Sequence, residues 1–133
     1  MAGFRVGRIG VILAVRDVDR SVAFYRDHLG FAVEALYDDP PYATLSRDGV
    51  RLSLAEQGHP APDRPGTTLL VPDDPTVLPT IVVLEVADAA SVHARLAAEG
   101  VPMLAEPWAP PWGGLRCFVV DPDGYLVEIE QPG

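Results

Sequence analysis

The chain has 133 residues, of which 48% are hydrophobic and 22% charged, a balance that excludes wholesale disorder and suits a single domain over residues 1–133. Asp and Glu outnumber Lys and Arg by 19 to 10, for a net charge of −9. Such a field repels phosphate backbones and anionic membranes, so no nucleic-acid or membrane partner is expected, and it attracts cations. Cys117 is the only cysteine, which excludes an internal disulfide and suits a reducing compartment. The first eight residues lack the apolar stretch of a secretory leader, and no apolar run approaches the ~20 residues a membrane helix needs. A cytoplasmic location is expected.

A β-branched run, Ile9 to Val15, predicts the first strand. Its odd positions, Ile9, Val11, Leu13 and Val15, form the more apolar row and are expected under a helix; Gly10, Ile12, Ala14 and Arg16 face the other way. Asp17 then stands where a carboxylate caps the orphan N–H groups of a helix start. Val18, Val22, Tyr25 and Leu29 follow at helical spacing, and Gly30 suits the C-terminal cap. Three short strands come next, the last two joined by Asp48-Gly49, a tight-hairpin signal because both central residues need positive φ.

The same order returns. Leu84-Glu85-Val86-Ala87-Asp88 echoes Leu13-Ala14-Val15-Arg16-Asp17, Ser91-Val92 echoes Ser21-Val22, Gly100 echoes Gly30, and Asp123-Gly124 echoes Asp48-Gly49. The chain is therefore a duplicated βαβββ unit, residues 8–56 and 80–131. Between them, residues 57–79 carry Pro60, Pro62, Pro65, Pro72, Pro75 and Pro79, which deny a sheet its backbone donors and predict a linker folded over the domain. The fold class is α+β: two tandem βαβββ units forming a curved, cup-like sheet of eight strands with the helices outside.

Alternation along the second unit assigns its faces. Tyr125, Val127 and Ile129 are expected to pack inward, leaving Leu126, Glu128 and Glu130 opposite, with Ile81, Val83 and Glu85 on that same second face. A two- or four-residue hairpin at Asp123-Gly124 puts Cys117 and Val119 with Glu128; a three-residue loop reverses this. In the first unit the same logic groups Arg51 and Ser53 with Tyr42, Thr44 and Ser46. The segment Glu106-Pro107-Trp108-Ala109-Pro110-Pro111-Trp112-Gly113-Gly114 holds two Trp residues stiffened by prolines, which lowers the entropy cost of using them for binding.

The duplicated unit, the stretch Val15-x-Asp17-x-x-x-Ser21-x-x-Phe24-Tyr25-x-x-x-Leu29-Gly30-Phe31 and the segment from Asp121 to Glu128 resemble the vicinal oxygen chelate superfamily, which holds glyoxalase I, extradiol dioxygenases, fosfomycin thiol transferases and bleomycin-resistance proteins. Trp112-Gly113 ahead of Asp121-Pro122-x-Gly124 looks like the bleomycin-resistance branch. The resemblance implies a cup that is often completed across a homodimer. It also implies metal ligands, in metal-dependent members, at the positions held here by Gly10, Ser53, Ile81 and Glu128. Only Glu128 among them binds a divalent ion well, whereas a catalytic metal needs about three protein ligands.

No metal and no cofactor are therefore expected, and the leading expectation is a small-molecule binding protein that sequesters an aromatic or cationic compound. Its ligand-binding residues are Tyr42, Ser53, Ile81, Val83, Glu85, Trp108, Trp112, Cys117 and Glu128, with Ile12 and Val119 as further apolar wall. Any catalysis falls to Glu128 as a base. The alternative is a metal-dependent lyase, isomerase, thiol transferase or dioxygenase with non-standard ligands, for which Glu85, Glu128 and His59 form one improvised set. His28 and His93 read as surface residues of the helices, and Cys117 as a buried small hydrophobe.

Overall fold

Asp17 and Asp88 start the two helices as the sequence predicts: Asp17 accepts from the Arg20 N–H at 3.1 Å, and Asp88 from the Ser91 N–H at 3.0 Å. The computed structural model describes residues 3–133. It divides into two compact units, one ending at Val71 and the other comprising Pro72–Gly133.

The first unit runs β1 (Gly10–Val15), α1 (Val18–Asp27), β2 (Ala32–Asp38), β3 (Pro41–Arg47) and β4 (Val50–Glu56). Its sheet has the order β1-β4-β3-β2, with β1 parallel to β4 and the other pairs antiparallel. Arg47 pairs with Val50, so Asp48-Gly49 is a two-residue turn, with φ of 47° and 81° as a mirror-image turn requires. Apolar burial drives the packing: Leu13, Val15, Leu45, Leu52 and Leu54 lie beneath the sheet's covered face, and Val22, Tyr25 and Phe31 join them from α1 and the turn after it. The expected apolar row of β1 is buried only from Leu13 onward. Ile9 and Val11 are 76% and 39% exposed, because β1 is an edge strand whose first half carries no covering layer.

Part of the Pro-rich segment is held on this unit. The Gly58 N–H bonds to the Leu69 carbonyl at 2.9 Å, and the Val71 N–H to Gln57 Oε1 at 2.9 Å, burying Val71.

The second unit runs β5 (Val82–Glu85), α2 (Ala89–Ala98), β6 (Leu115–Val120) and β7 (Leu126–Gln131), in a sheet of order β5-β7-β6. Among the described residues seven strands are therefore present where eight are expected. The missing one is the stretch that follows α2. It meets the β6 edge in two isolated bridges, Met103 opposite Val119, flanked by backbone bonds of Pro102 and Leu104, and Trp108 opposite Arg116. Met103 and Trp108 are five positions apart but their partners Val119 and Arg116 only three, so the outer segment bulges. Pro102 and Pro107 lack the N–H groups that a continuous ladder needs.

The second hairpin also departs from expectation. Val120 pairs with Leu126, and the Asp121 N–H bonds to the Tyr125 carbonyl at 2.8 Å, which encloses a three-residue loop, Pro122-Asp123-Gly124. The Gly124 N–H reaches the Asp121 carbonyl at 3.1 Å, and Gly124 takes φ 90°. Proline at the second position of such a turn fixes its φ. The buried Asp121 Oδ1 accepts the N–H groups of Asp123 at 2.8 Å and Tyr125 at 3.0 Å. Replacing Asp121 with Ala strands both donors, and urea unfolding should show a loss of roughly 1–3 kcal/mol; an unchanged midpoint would mean the turn closes without this side chain.

Candidate ligand site

Register decides what lies beside Glu128. Across the second sheet, Val83, Glu128 and Phe118 form one row, and Glu85, Glu130, Arg116 and Trp108 form the next. Cys117 pairs with Ile129 and Val119 with Val127, so both belong to the opposite, core-facing side, where they are 2% and 0% exposed. The expectation that they share the Glu128 face is thus corrected, and the three-residue loop is the cause. Burial pushes the Cys117 thiol up from its ordinary value, which suits a packed small residue and not a nucleophile.

The residue that sequence reasoning underrated is Arg116. Its guanidinium carbon sits 5.2 Å from the Trp108 ring centre, 5.7 Å from Trp112 and 5.3 Å from Phe118. The two indoles meet edge to face at 6.0 Å and 82°. Three ring faces around one cation form a cage, each contact worth about 0.5–2 kcal/mol depending on solvent access. Arg116 Nη1 lies 3.9 Å from Glu128 Oε1, and its Nε is buried with no hydrogen-bond partner. The cage holds the indoles in place yet leaves them open, Trp108 at 48% and Trp112 at 73% exposure. Gly114 makes this turn possible: its φ is 82°, and a Cβ there would come within 2.2 Å of the Gln131 carbonyl oxygen.

Glu128 is buried at the centre of this face. Loss of solvent raises its pKa first, and the hydrogen bond and charge of Glu130 raise it further, against the pull of Arg116. Val83 is directly opposite Glu128, while Glu85 is two pairs along, opposite Glu130 and exposed. Ile81 precedes β5 and is 41% exposed. The second unit therefore brings Trp108, Trp112, Val83 and Glu128 to one face, with Glu85 at its margin.

Tyr42 and Ser53 share the first sheet's second face, opposite the one that α1 packs on, as expected. Gly10 and Ile12 pair with Arg51 and Ser53, which pair in turn with Ser46 and Thr44. A concavity of 480 Å³ opens there, lined by Arg8, Gly10, Ile12, Tyr42, Arg51 and Ser53 among others.

The residues do not suit a resident metal ion. At Gly10 the space a ligating side chain would enter is taken, since a Cβ would meet Arg51 Cβ and the Arg51 carbonyl oxygen, each at 3.3 Å. Ser53 offers a neutral hydroxyl, Ile81 nothing, and Glu128 a single carboxylate of raised pKa. His59 bonds instead to Glu56, at 2.7 Å. Among the described residues no three His, Cys, Asp or Glu side chains are placed to hold a metal.

Residues 5–129 match the Glyoxalase/Bleomycin resistance protein/Dioxygenase superfamily, and the chain belongs to it. Among solved structures, a glyoxalase/bleomycin resistance protein/dioxygenase from Nocardioides is similar over 99% of this chain and 86% of its own, with 21% identity and a TM-score of 0.77. TnmS3, an antibiotic binding protein from Streptomyces sp. CB03234, is similar over 100% and 99%, with 23% identity and a TM-score of 0.70. A bleomycin resistance determinant encoded on the transposon Tn5 is similar over 96% and 98%, with 25% identity and a TM-score of 0.67. No curated protein matches the chain. Among the described residues no helix is long and apolar enough to cross a membrane.

The raised pKa of Glu128 fixes the sign of a pH effect. The folded chain binds this proton more tightly than the unfolded one, so the contribution to stability is fully present below the ordinary value of 4.5 and is lost as pH rises through the folded value. Glu128→Gln, which mimics the protonated form, should raise the melting temperature at pH 7 and flatten the slope between pH 4.5 and 7. An unchanged pH profile would place the Glu128 carboxylate in water.

Proposed function

We propose that the chain is a small-molecule binding protein of the glyoxalase/bleomycin-resistance type that sequesters an aromatic or cationic compound, without a metal and without making a bond. The observation that carries this reading is the pair of exposed, orthogonal indoles, Trp108 and Trp112, fixed over Arg116 beside the buried carboxyl of Glu128. Rings held in advance lose little entropy when a planar ligand stacks on them, and aromatic pairing adds about 0.5–1.5 kcal/mol beyond buried area. Glu128, Glu130 and Glu85 supply acceptors for a cation or a hydrogen-bond donor at the same face. The net charge of −9 concentrates cations near the protein. TnmS3 and the Tn5 determinant share the fold, and binding of an antibiotic by the former is consistent with this use of it. The reading includes a homodimer acting in the cytoplasm.

Titration with acridine orange, a planar aromatic cation, tests the reading through quenching of tryptophan fluorescence and by calorimetry. Saturable binding is expected, weakened about tenfold, or 1.4 kcal/mol, by Trp112→Ala. The dye should be recovered unchanged, and elemental analysis should find no stoichiometric transition metal. Chemical conversion of a bound compound, or one equivalent of Mn, Fe, Ni or Zn, would overturn sequestration without metal.

A further inference from the structure

The concavity of the first unit carries the opposite charge from the acidic face of the second. Arg8 is already held by Glu34, through contacts of 3.2 and 3.3 Å. Arg51 has no such partner: no described residue makes an ion pair or side-chain hydrogen bond with it. Arg51 lines the concavity together with Tyr42 and Ser53, whose hydroxyl groups are hydrogen-bond donors. Ser53 is buried, as is Thr44, its neighbour on the same face. The position of Arg51 has a cause in sequence. Gly10 is its strand partner, and the Arg51 stem lies across the bare glycine, with its Cδ 3.6 Å from where a Cβ would stand. A side chain at position 10 would push the stem away.

We propose that this concavity binds the carboxylate of a small organic acid, with Arg51 as the fixed cation and Tyr42 and Ser53 as flanking donors. A guanidinium presents paired N–H groups that match the two oxygens of a carboxylate, and it does so without an ion of limited supply. The volume of 480 Å³ accommodates an aromatic or alicyclic acid with its ring against Ile12, which is 52% exposed and offers apolar surface. The anion is a feature that the chain's overall charge of −9 would not suggest; Glu34 is taken up by Arg8, which leaves the Arg51 guanidinium as the local charge, and carboxylates farther off are screened by salt beyond ~10 Å. This inference deepens the proposed small-molecule function and rests on it.

The test compares 2-naphthoate with the isosteric, neutral 2-naphthamide by calorimetry at pH 7.5, on the wild-type chain and on Arg51→Met and Arg51→Lys. The naphthoate should bind at least tenfold more tightly than the amide. Arg51→Met should remove that preference and leave amide binding unchanged, and Arg51→Lys should restore part of it. In wild-type protein the Arg51 Nε–H resonance should shift on adding naphthoate. Equal affinity for acid and amide, or an unaltered preference in Arg51→Met, would overturn the carboxylate assignment while small-molecule binding stood. If neither naphthalene compound nor acridine orange binds, both readings fall together.

Discussion

The three-residue turn that Asp121 closes sets the chemistry of the second unit. Two backbone N–H groups converge on one buried oxygen of its side chain, and the loop they define is odd in length. Odd length pairs even positions of β6 with even positions of β7. That parity turns Arg116 and Phe118 toward Glu128 and sends Cys117 and Val119 into the core. A loop one residue shorter would exchange the two sets, placing a thiol and a methyl-rich wall beside the carboxyl where a guanidinium and a ring now stand. The cage around Arg116, the openness of the indoles and the perturbed titration of Glu128 all follow from the length of that loop.

Duplication gave both units the same plan, and small departures gave them different surfaces. Asp48-Gly49 is a two-residue turn, whereas the equivalent pair in the second unit sits inside the longer loop. The first unit keeps four paired strands, while the second reduces one to two isolated contacts on the β6 edge. The second face of the first sheet carries hydroxyls and a guanidinium that no described residue pairs with. That of the second carries three carboxylates and one guanidinium that is already enclosed by rings. Two copies of one plan thus present surfaces of different charge.

Much of this was legible in the residues. Both helix starts followed from Asp17 and Asp88, because an N-cap is a local interaction written within four positions. The grouping of Ser53 and Arg51 with Tyr42, Thr44 and Ser46 followed from Asp48-Gly49, which with no proline before it forms the two-residue turn. The second hairpin was misread because the same dipeptide is preceded there by Pro122, which favours an ordinary turn followed by a left-handed glycine. That proline was the available signal. The interruption of the eighth strand was written in Pro102 and Pro107, but the number of bulged residues depends on how the edge of β6 receives them. The cage around Arg116 was out of reach, because it joins Trp108, Trp112 and Phe118 only once the register is known. Ile9 and Val11 misled for a related reason: alternation names a face, but not whether another layer covers it.

The broken segment beside β6 has a further consequence. A sheet margin with free, regularly spaced donors and acceptors invites a second chain to add on, and repeated addition ends in fibres. Here that margin is occupied at Met103 and Trp108 and interrupted between them, with prolines that offer no donor. The stretch is bonded well enough to block the edge and too irregular to extend it. The indole-bearing loop thereby guards against self-polymerisation at the border where two exposed indoles stand.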